Sequence, residues 1–477
     1  MNPVFLIASD EWRYWRRSRL AISVLLIGLA LTIGAAVLTS NRMADVAHER
    51  AHLQSQAEQT FLEQPDRHPH RMVHYGHYVF RTPPPLSLID PGVDEFTGTS
   101  IFLEGHRQNS AMFADRQAGA RLAEFGSLTP ALLLQVLAPL LLILMGYNLI
   151  TRERERRTLD QLLSQGASPT QILLGKGLAL ASAAAVILSP LIIATLIAIA
   201  NGEGVAAGAL YIAGYALYFL TWCALIVFVS TRMQTRSSSL GALLAVWVVL
   251  AILVPPLSSS TAAAMVEAPG KIETDFAVLE ELKKVGDGHN SNDPAFTALK
   301  ANLLRQYDVE RVEDLPVNFR GIVAGAAEAE LTDVLNRFAE ERMETEIAQA
   351  HVARLFGWLS PVLSAREFSM TLAGVDLETH HRFLREAEQV RFNFVQGLNK
   401  AHAEQLSFVD DINRSRDTEA EKRTRVSSEN WRILDEFRFS PAPETERVEA
   451  SLVPLAKFLA WFGVALVLCA TVGRRSL

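Results

Sequence analysis

Residues 172–200 read ILLGKGLALASAAAVILSPLIIATLIAIA. Lys176 is the only charged residue among them, and it lies near the beginning of the run. A helix of about 20 apolar residues crosses the roughly 30 Å hydrocarbon core of a bilayer, so this stretch is long enough to span a membrane. The chain is therefore expected to be a membrane protein, and this expectation guides the interpretation of the remaining sequence.

Five further apolar runs occur along the chain, although hydrophobic residues make up only 49% of its 477 residues. The predicted spans are residues 20–39, 128–150, 172–200, 206–230, 240–257 and 452–472, and none contains Asp, Glu or Arg. The first run follows arginines, as a signal-peptide core does, but it exceeds the usual length of roughly 7–15 residues and is interpreted as an uncleaved span. The predicted fold class is an all-α polytopic membrane protein with six transmembrane helices.

The distribution of charge predicts the orientation of the spans. Thirteen of the 45 Lys and Arg residues, but only five of the 52 acidic residues, lie in or beside the short segments 1–19, 151–171, 231–239 and 473–477. Because loops rich in Lys and Arg stay in the cytoplasm, both termini are expected there, with the protein in the bacterial cytoplasmic membrane. The first long segment, 40–127, and the second long segment, 258–451, are then extracytoplasmic, and the second is predicted to be a mainly helical domain.

Two lysines lie inside the predicted spans, Lys176 and Lys457. Each is near one end of its run, so each is expected to extend its ammonium group to the membrane interface.

All twelve histidines lie in the two long segments, and four of them are close together: His68, His70, His74 and His77. Imidazole nitrogens are ligands for zinc and copper, so this group is a candidate metal site. Its spacing matches no standard closed zinc site, so surface or hydrogen-bonding histidines are favoured over a metal site. Both interpretations stay open. The two cysteines lie in apolar runs, which predicts neither a disulfide nor a Cys-based zinc site.

Two short segments have amphipathic patterns. Residues 151–165 are predicted to form one helix with Leu159, Leu162 and Leu163 on its apolar face, and Ser168 followed by Pro169 predicts the start of the next helix. In segment 1–19, Phe5, Trp12 and Trp15 share a helical face, which predicts an interfacial helix that contacts lipid. Segment 151–171 is interpreted either as a flank of the second span or as a docking element for a cytosolic protein.

The string RERERRTLDQLLSQG at residues 152–166, followed by Gly175 and Lys176, resembles the loop of ABC-2 type permeases. The resemblance implies the membrane-spanning subunit of an ABC transporter, in which this loop is the coupling helix that contacts a separate ATPase. Arg157 stands where a glycine is frequent in that family, a difference expected to alter the entry angle of the loop but not the helix. The implied coupling residues are Glu153, Glu155, Thr158, Leu159 and Leu162.

The resemblance also implies partners. They are a cytosolic ABC ATPase dimer, a second permease copy or a sister permease, and membrane lipid. ATP and Mg²⁺ would be held by the ATPase, and this chain would have no cofactor.

The long segments resemble the permease subgroup that carries the domain DUF3526. The similar stretches are HYGHYVFR (74–81), LIDPG (88–92), GTSIFLEGHRQN (98–109), LSP (359–361), LAG (372–374) and residues 392–399. This resemblance implies no particular substrate.

Other functions are less consistent with the sequence. The stretch Gly175-Lys176-Gly177 lacks the spacing of a Walker A loop. His-Glu-x-x-His occurs once, at residues 48–52, within the polar continuation of the first predicted span. Ion-coupled transport usually needs ionisable residues inside the spans. The chain is therefore expected not to be an enzyme and not to bind nucleic acid. The alternative function is a mechanotransmission or receptor-like protein that acts on an extracytoplasmic partner, a metal or a siderophore without moving cargo across the bilayer.

Overall fold

The computed structural model describes residues 2–109, 111, 129–436 and 439–473, and this part of the chain is mostly helical. The predicted tail at 473–477 lies outside these residues except for Gly473, as do residue 128 of the second predicted span and most of 110–127. The helices, in chain order, are α1 (Pro3–Arg17), α2 (Arg19–Leu62), α3 (Pro69–Val73), α4 (Asp94–Thr97), α5 (Pro130–Leu132), α6 (Ala138–Gly146), α7 (Thr151–Glu155), α8 (Thr158–Ser164), α9 (Pro169–Ala200), α10 (Val205–Arg232), α11 (Arg236–Trp247), α12 (Val254–Met265), α13 (Lys271–Leu282), α14 (Thr297–Gln306), α15 (Phe319–Leu355), α16 (Pro361–Ala373), α17 (Leu377–Gln405), α18 (Phe408–Asn413), α19 (Thr418–Arg423), α20 (Glu444–Ala450) and α21 (Leu452–Gly473).

Six helical stretches among the described residues are long and apolar enough to cross a membrane, which confirms the predicted fold class. They are Arg19–Val37, Pro130–Glu155, Pro169–Ala200, Val205–Arg232, Arg236–Met265 and Glu444–Thr471. The first belongs to α2, which continues as one helix to Leu62. At 1.5 Å per residue, this extension reaches roughly 35 Å beyond the apolar part.

Two of the spans contain a π-helical turn. Leu133–Leu137 connects α5 to α6, and Val248–Leu253 connects α11 to α12. The two turns are close together, because the indole nitrogen of Trp247 donates to the carbonyl oxygen of Val136 at 2.9 Å. Insertions of this kind often occur at functional positions in helices.

The two long segments pack into one domain. Strands β1 (His77–Phe80) and β2 (Ser100–Leu103) pair antiparallel in the first segment, with Tyr78 opposite Phe102. A shared apolar core joins this hairpin to the second segment, with Phe61 and Val79 on one side and Phe394 and Trp431 on the other. Within the second segment, α15 packs along α17.

Helix α16 belongs to the second long segment in sequence but packs among the spans. Its residues Ala365, Phe368 and Leu372 are buried in the core of the bundle with α10 and α21. A Cβ atom on Gly214 of α10 would overlap the ring of Phe368, so the two helices approach closely there. The predicted segment 258–451 therefore contains one helix that is part of the membrane bundle.

Candidate functional site

A buried cluster of four charged residues connects α1 to the spans. Glu11 of α1 accepts two hydrogen bonds from Arg152, at 2.9 and 2.8 Å, and one from Lys176 of α9, at 2.6 Å. Glu153 accepts from Arg152 at 2.9 Å and from Lys176 at 2.7 Å. Two carboxylates and two cations thus balance in charge, which is the arrangement that a buried ionic group requires. We refer to these four residues as the ionic cluster.

Close packing of α1 on α9 positions the cluster. A Cβ atom on Gly175 would lie 2.7 Å from Ile7 and 2.9 Å from the carbonyl oxygen of Val4, so only glycine allows this approach. The indole nitrogen of Trp12 donates to Ser182 on α9 at 2.7 Å. The guanidinium of Arg152 also lies 3.6 Å from the ring centroid of Tyr14, within cation–π range.

The two lysines of the spans do not extend to the interface, so that expectation is wrong. Lys176 is 2% exposed and Lys457 is 4% exposed. Lys457 instead bonds to Glu367 of α16 at 2.5 Å and to the carbonyl oxygen of Arg354 at 3.0 Å. In both cases an ion pair with a carboxylate makes the interior position favourable for an ammonium group.

The predicted single helix over 151–165 is wrong, because the structure has two short helices, α7 and α8. The break occurs at Arg157, which has a φ of 57° in the left-handed region. This conformation is costly for a residue with a Cβ and easy for glycine, which explains why glycine is frequent at this position in the family that the loop resembles. The capping box of the next helix forms as Ser168 and Pro169 predict, with Gln171 as the third residue.

The implied coupling residues have different environments. Glu153 belongs to the ionic cluster, and the hydroxyl of Thr158 donates to its carboxylate. Leu159 is 4% exposed and packs in the bundle core, and Leu162 is half-buried beside it. Glu155 bonds to Arg236 at the start of α11, at 2.8 Å to the backbone nitrogen and 2.5 Å to the side chain. The outward face of the loop is formed by Glu155 together with Arg156, Arg157, Asp160, Gln161, Ser164 and Gln165.

The three residues expected to contact lipid also differ in their exposure. Phe5 is 59% exposed and remains available to lipid. Trp15 is 1% exposed and packs edge to face on Trp12, with ring centroids 5.3 Å apart. The face that carries the tryptophans is therefore turned toward the protein, because Glu11 on the same side of α1 must reach Arg152 and Lys176.

A second buried polar cluster lies where α16 meets the spans. The hydroxyls of Tyr211 and Tyr215 bond to Ser369 at 2.7 and 3.0 Å, and Gln135 donates to Tyr215 at 2.9 Å. Asp90 of the first long segment faces the same cluster, and burial raises the pKa of its carboxyl. No sequence pattern predicts this cluster, because its members come from four separate segments.

The predicted group of four histidines divides into three environments. His70 and His74 lie beside His106 and His289, two histidines that sequence reasoning did not single out. His68 lies beside His402 and Asp411. His77 is buried against the ring of Phe61, with ring centroids 5.0 Å apart.

The cluster around Asp411 forms a closed set of hydrogen bonds. The carboxylate accepts from His68 at 3.0 Å, from His402 at 2.9 Å and from Asn318 at 3.3 Å, and Arg414 lies 3.2 Å away. These donors hold the pKa of Asp411 well below its usual range, against the effect of burial. Burial lowers the pKa of His68 to about 4. Since the donors already occupy the carboxylate, the arrangement stabilises the domain core.

A family model described as "Domain of unknown function (DUF3526)" matches residues 271–440. The match begins at α13 and ends after α17, α18 and α19, so it covers most of the second long segment, including α16. This confirms the predicted DUF3526 domain. A comparison with curated proteins finds no match.

Proposed function

We propose that this chain is the membrane-spanning subunit of an ABC-2 type transporter and that a separate ATPase drives it. The observation that carries the proposal is the ionic cluster, which fixes the α7–α8 loop to both α1 and α9. The loop has an outward face of polar side chains and an inward face held by Leu159 and the cluster. Such a loop is suited to receive a force from outside the bundle and pass it to the helices.

The contacts of the loop show which helices would receive this force. Arg154 donates to the carbonyl oxygen of Thr231 at 3.0 Å, and Glu155 bonds to Arg236. Helix α7 therefore also contacts the end of α10 and the start of α11. Displacement of the loop would therefore move α1 and α9 on one side and α10 and α11 on the other. A push by a bound ATPase would reach α1 and α9 through the buried ionic cluster, and α10 and α11 through the contacts of Arg154 and Glu155.

The proposal includes the partners and the location. An ABC ATPase dimer would bind the outward face of the loop and would hold ATP and Mg²⁺. ABC transporters of this type have two membrane halves, so a second copy of this chain or a sister permease completes the unit. The side that carries α1 and the α7–α8 loop would be cytoplasmic, in the bacterial cytoplasmic membrane.

The alternative, in which ATP-driven motion acts on an extracytoplasmic partner, is favoured by the buried link between the bundle and the long segments. Arg447 of α20 bonds to Glu203 at 2.5 Å and to the carbonyl oxygen of Leu372 at 2.7 Å. Glu203 lies between α9 and α10, and Leu372 lies in α16, so movement of the spans would reach the outer domain. Two results together would favour this version: the hydrogen exchange of residues 271–440 changes when ATP binds, and no cargo molecule is transported across the membrane.

Co-purification with an ATPase tests the proposal. The chain, with a histidine-free affinity tag, is purified from its native host in mild detergent. We expect an ABC-type ATPase, identified by mass spectrometry, to co-purify and to give vanadate-sensitive ATP hydrolysis. The variant Gln161→Arg, on the outward face of the loop, should lose both the ATPase and the activity while its melting temperature stays at the wild-type value.

The matched control is Gln56→Arg, which makes the same change at an exposed position of α2 far from the loop. It should keep the ATPase and the activity. Purified chain without any ABC ATPase or ATP hydrolysis would overturn the proposal, and so would a Gln161→Arg variant that retains both.

A further inference from the structure

Four histidines from three separate segments form a compact group on the surface of the domain. His70 and His74 are on and just after α3, His106 follows β2, and His289 lies in the loop after α13. One ring nitrogen from each lies within 4.8 Å of those of the other three. Segments so distant in sequence bring four imidazoles together only through the folded arrangement of both long segments.

The geometry of the four rings is close to a tetrahedron. The six distances between ring centroids all fall between 4.8 and 6.2 Å. Four points whose six separations are nearly equal define a tetrahedron, the geometry that Zn²⁺ adopts in structural sites. The Nε2 atoms of His70 and His74 are 3.2 Å apart, near the separation of ~3.4 Å expected for two nitrogens bound tetrahedrally at about 2.1 Å from zinc.

Carboxylates lie behind two of the rings. Nδ1 of His106 lies 2.7 Å from Glu328, and Nδ1 of His289 lies 3.2 Å from Asp287. A histidine that binds a metal through one nitrogen usually donates the other N–H to a carboxylate or carbonyl. These bonds leave Nε2 of each ring for the centre of the group. Nε2 of His106 is buried and has no hydrogen-bond partner among the described residues.

We propose that His70, His74, His106 and His289 bind one divalent transition-metal ion of the zinc class through four imidazole nitrogens. The cluster around Asp411 differs, because its two histidines donate to the carboxylate and leave no shared centre. Four protein ligands fill a tetrahedral site, so the ion would be structural, with no open position for a reaction. It would fasten the loop after α13 to the first long segment, across the start of the DUF3526 match.

The test uses the full chain, purified in detergent with a histidine-free tag and treated with a chelator. Titration with Zn²⁺ should show one tight site per chain, and Co²⁺ in its place should give the intense visible absorption of a tetrahedral complex. Zn²⁺ should also raise the melting temperature. Asp287→Asn should weaken binding about 10-fold or more by releasing the His289 ring. His289→Ala and His74→Ala should weaken it further and remove the tetrahedral Co²⁺ spectrum.

The matched control is His52→Ala, an exposed histidine of α2 outside the group, and it should bind Zn²⁺ as the wild type does. His289 is an exposed loop residue, so His289→Ala is expected to fold, and an unchanged melting temperature without metal verifies this. Absence of a tight site in the wild type would overturn the proposal. Equal Zn²⁺ affinity in the wild type and His289→Ala would also overturn it.

Discussion

Glu11 and Lys176 form a direct ion pair of 2.6 Å between α1 and α9, and neither side chain is more than 3% exposed. The pair joins the first helix of the chain to a span that begins more than 150 residues later. Arg152 shares the same carboxylate. Through Glu11, α1 therefore supplies one carboxylate to both buried cations of the ionic cluster.

Replacing Glu11 with Gln should destabilise the protein. The variant keeps the shape of the side chain but leaves Glu153 as the single counter-charge for Arg152 and Lys176. Removal of one partner from a buried ionic group typically costs about 3–5 kcal/mol, so we expect a clear decrease in melting temperature in detergent. Asp10→Asn removes a carboxylate from the neighbouring, exposed position and should leave the melting temperature unchanged. Equal melting temperatures for the wild type and Glu11→Gln would contradict a role for the ionic cluster in stability.

The left-handed backbone of Arg157 predicts an unusual response to substitution. Arg157→Gly should be neutral or stabilising, since a left-handed residue with a Cβ costs about 1–2 kcal/mol. Arg157→Val should destabilise the loop, because a β-branched side chain tolerates this conformation poorly. Arg156 has a φ of -88°, so Arg156→Gly should have no stabilising effect. Limited proteolysis of the α7–α8 loop measures the effect. Faster cleavage of Arg157→Gly than of Arg156→Gly would show that the backbone conformation is wrong.

The sequence predicts the parts of this fold that local patterns determine. Uninterrupted apolar runs are sufficient to identify spans such as Pro169–Ala200, since length and hydropathy are properties of one segment. Ser168 and Pro169 likewise predict the start of α9, because a helix cap involves only adjacent residues. The break at Arg157 is not predicted, because this chain has no glycine there to mark the left-handed residue.

The sites depend on distant contacts that no local pattern contains. Glu11 looks like a solvated residue on the polar face of α1 until Arg152 and Lys176 are known to pack against it. His106 and His289 are isolated in sequence, and only the fold brings them to His70 and His74. Helix α16 contains the charged residues Arg366 and Glu367, so its hydropathy does not predict that it packs in the bundle. Glu367 is accommodated there by its ion pair with Lys457.

Gly214 allows the close approach of α10 to α16, and a Cβ there should push the helices apart. Gly→Ala inside a helix normally stabilises it by up to about 1 kcal/mol. At Gly214 the overlap with Phe368 should reverse the sign and cost about 1–3 kcal/mol. The matched change Gly241→Ala in α11 meets no atom within 4 Å and should stabilise or be neutral. The double variant Gly214→Ala/Phe368→Leu should recover part of the loss in melting temperature. If Gly214→Ala is as stable as Gly241→Ala, then α16 does not pack on α10 as described.

His380 should make the outer domain sensitive to acid. Burial, followed by the nearby charge of Arg81, lowers the pKa of its imidazole from 6.5 to about 4. Between pH 4 and 6.5 the unfolded chain binds a proton at His380 that the folded chain does not bind. The contribution of His380 to the free energy of unfolding is therefore complete above pH 6.5 and is lost as the pH falls toward 4. The loss approaches about 3 kcal/mol at the lower limit. Glu346 opposes the shift only in part.

The variant His380→Leu isolates this contribution, because other acid-sensitive groups, such as His68, titrate equally in both proteins. Its melting temperature should be close to that of the wild type at pH 7.5 and higher at pH 4.5, since leucine has no proton to take up on unfolding. His52→Leu, at an exposed position of α2, should follow the wild type at both pH values. The contrary result is a difference in melting temperature between His380→Leu and the wild type that stays constant across this pH range. It would mean that His380 binds a proton inside the folded domain, and that the environment formed by α17 and Arg81 is more open than its burial indicates.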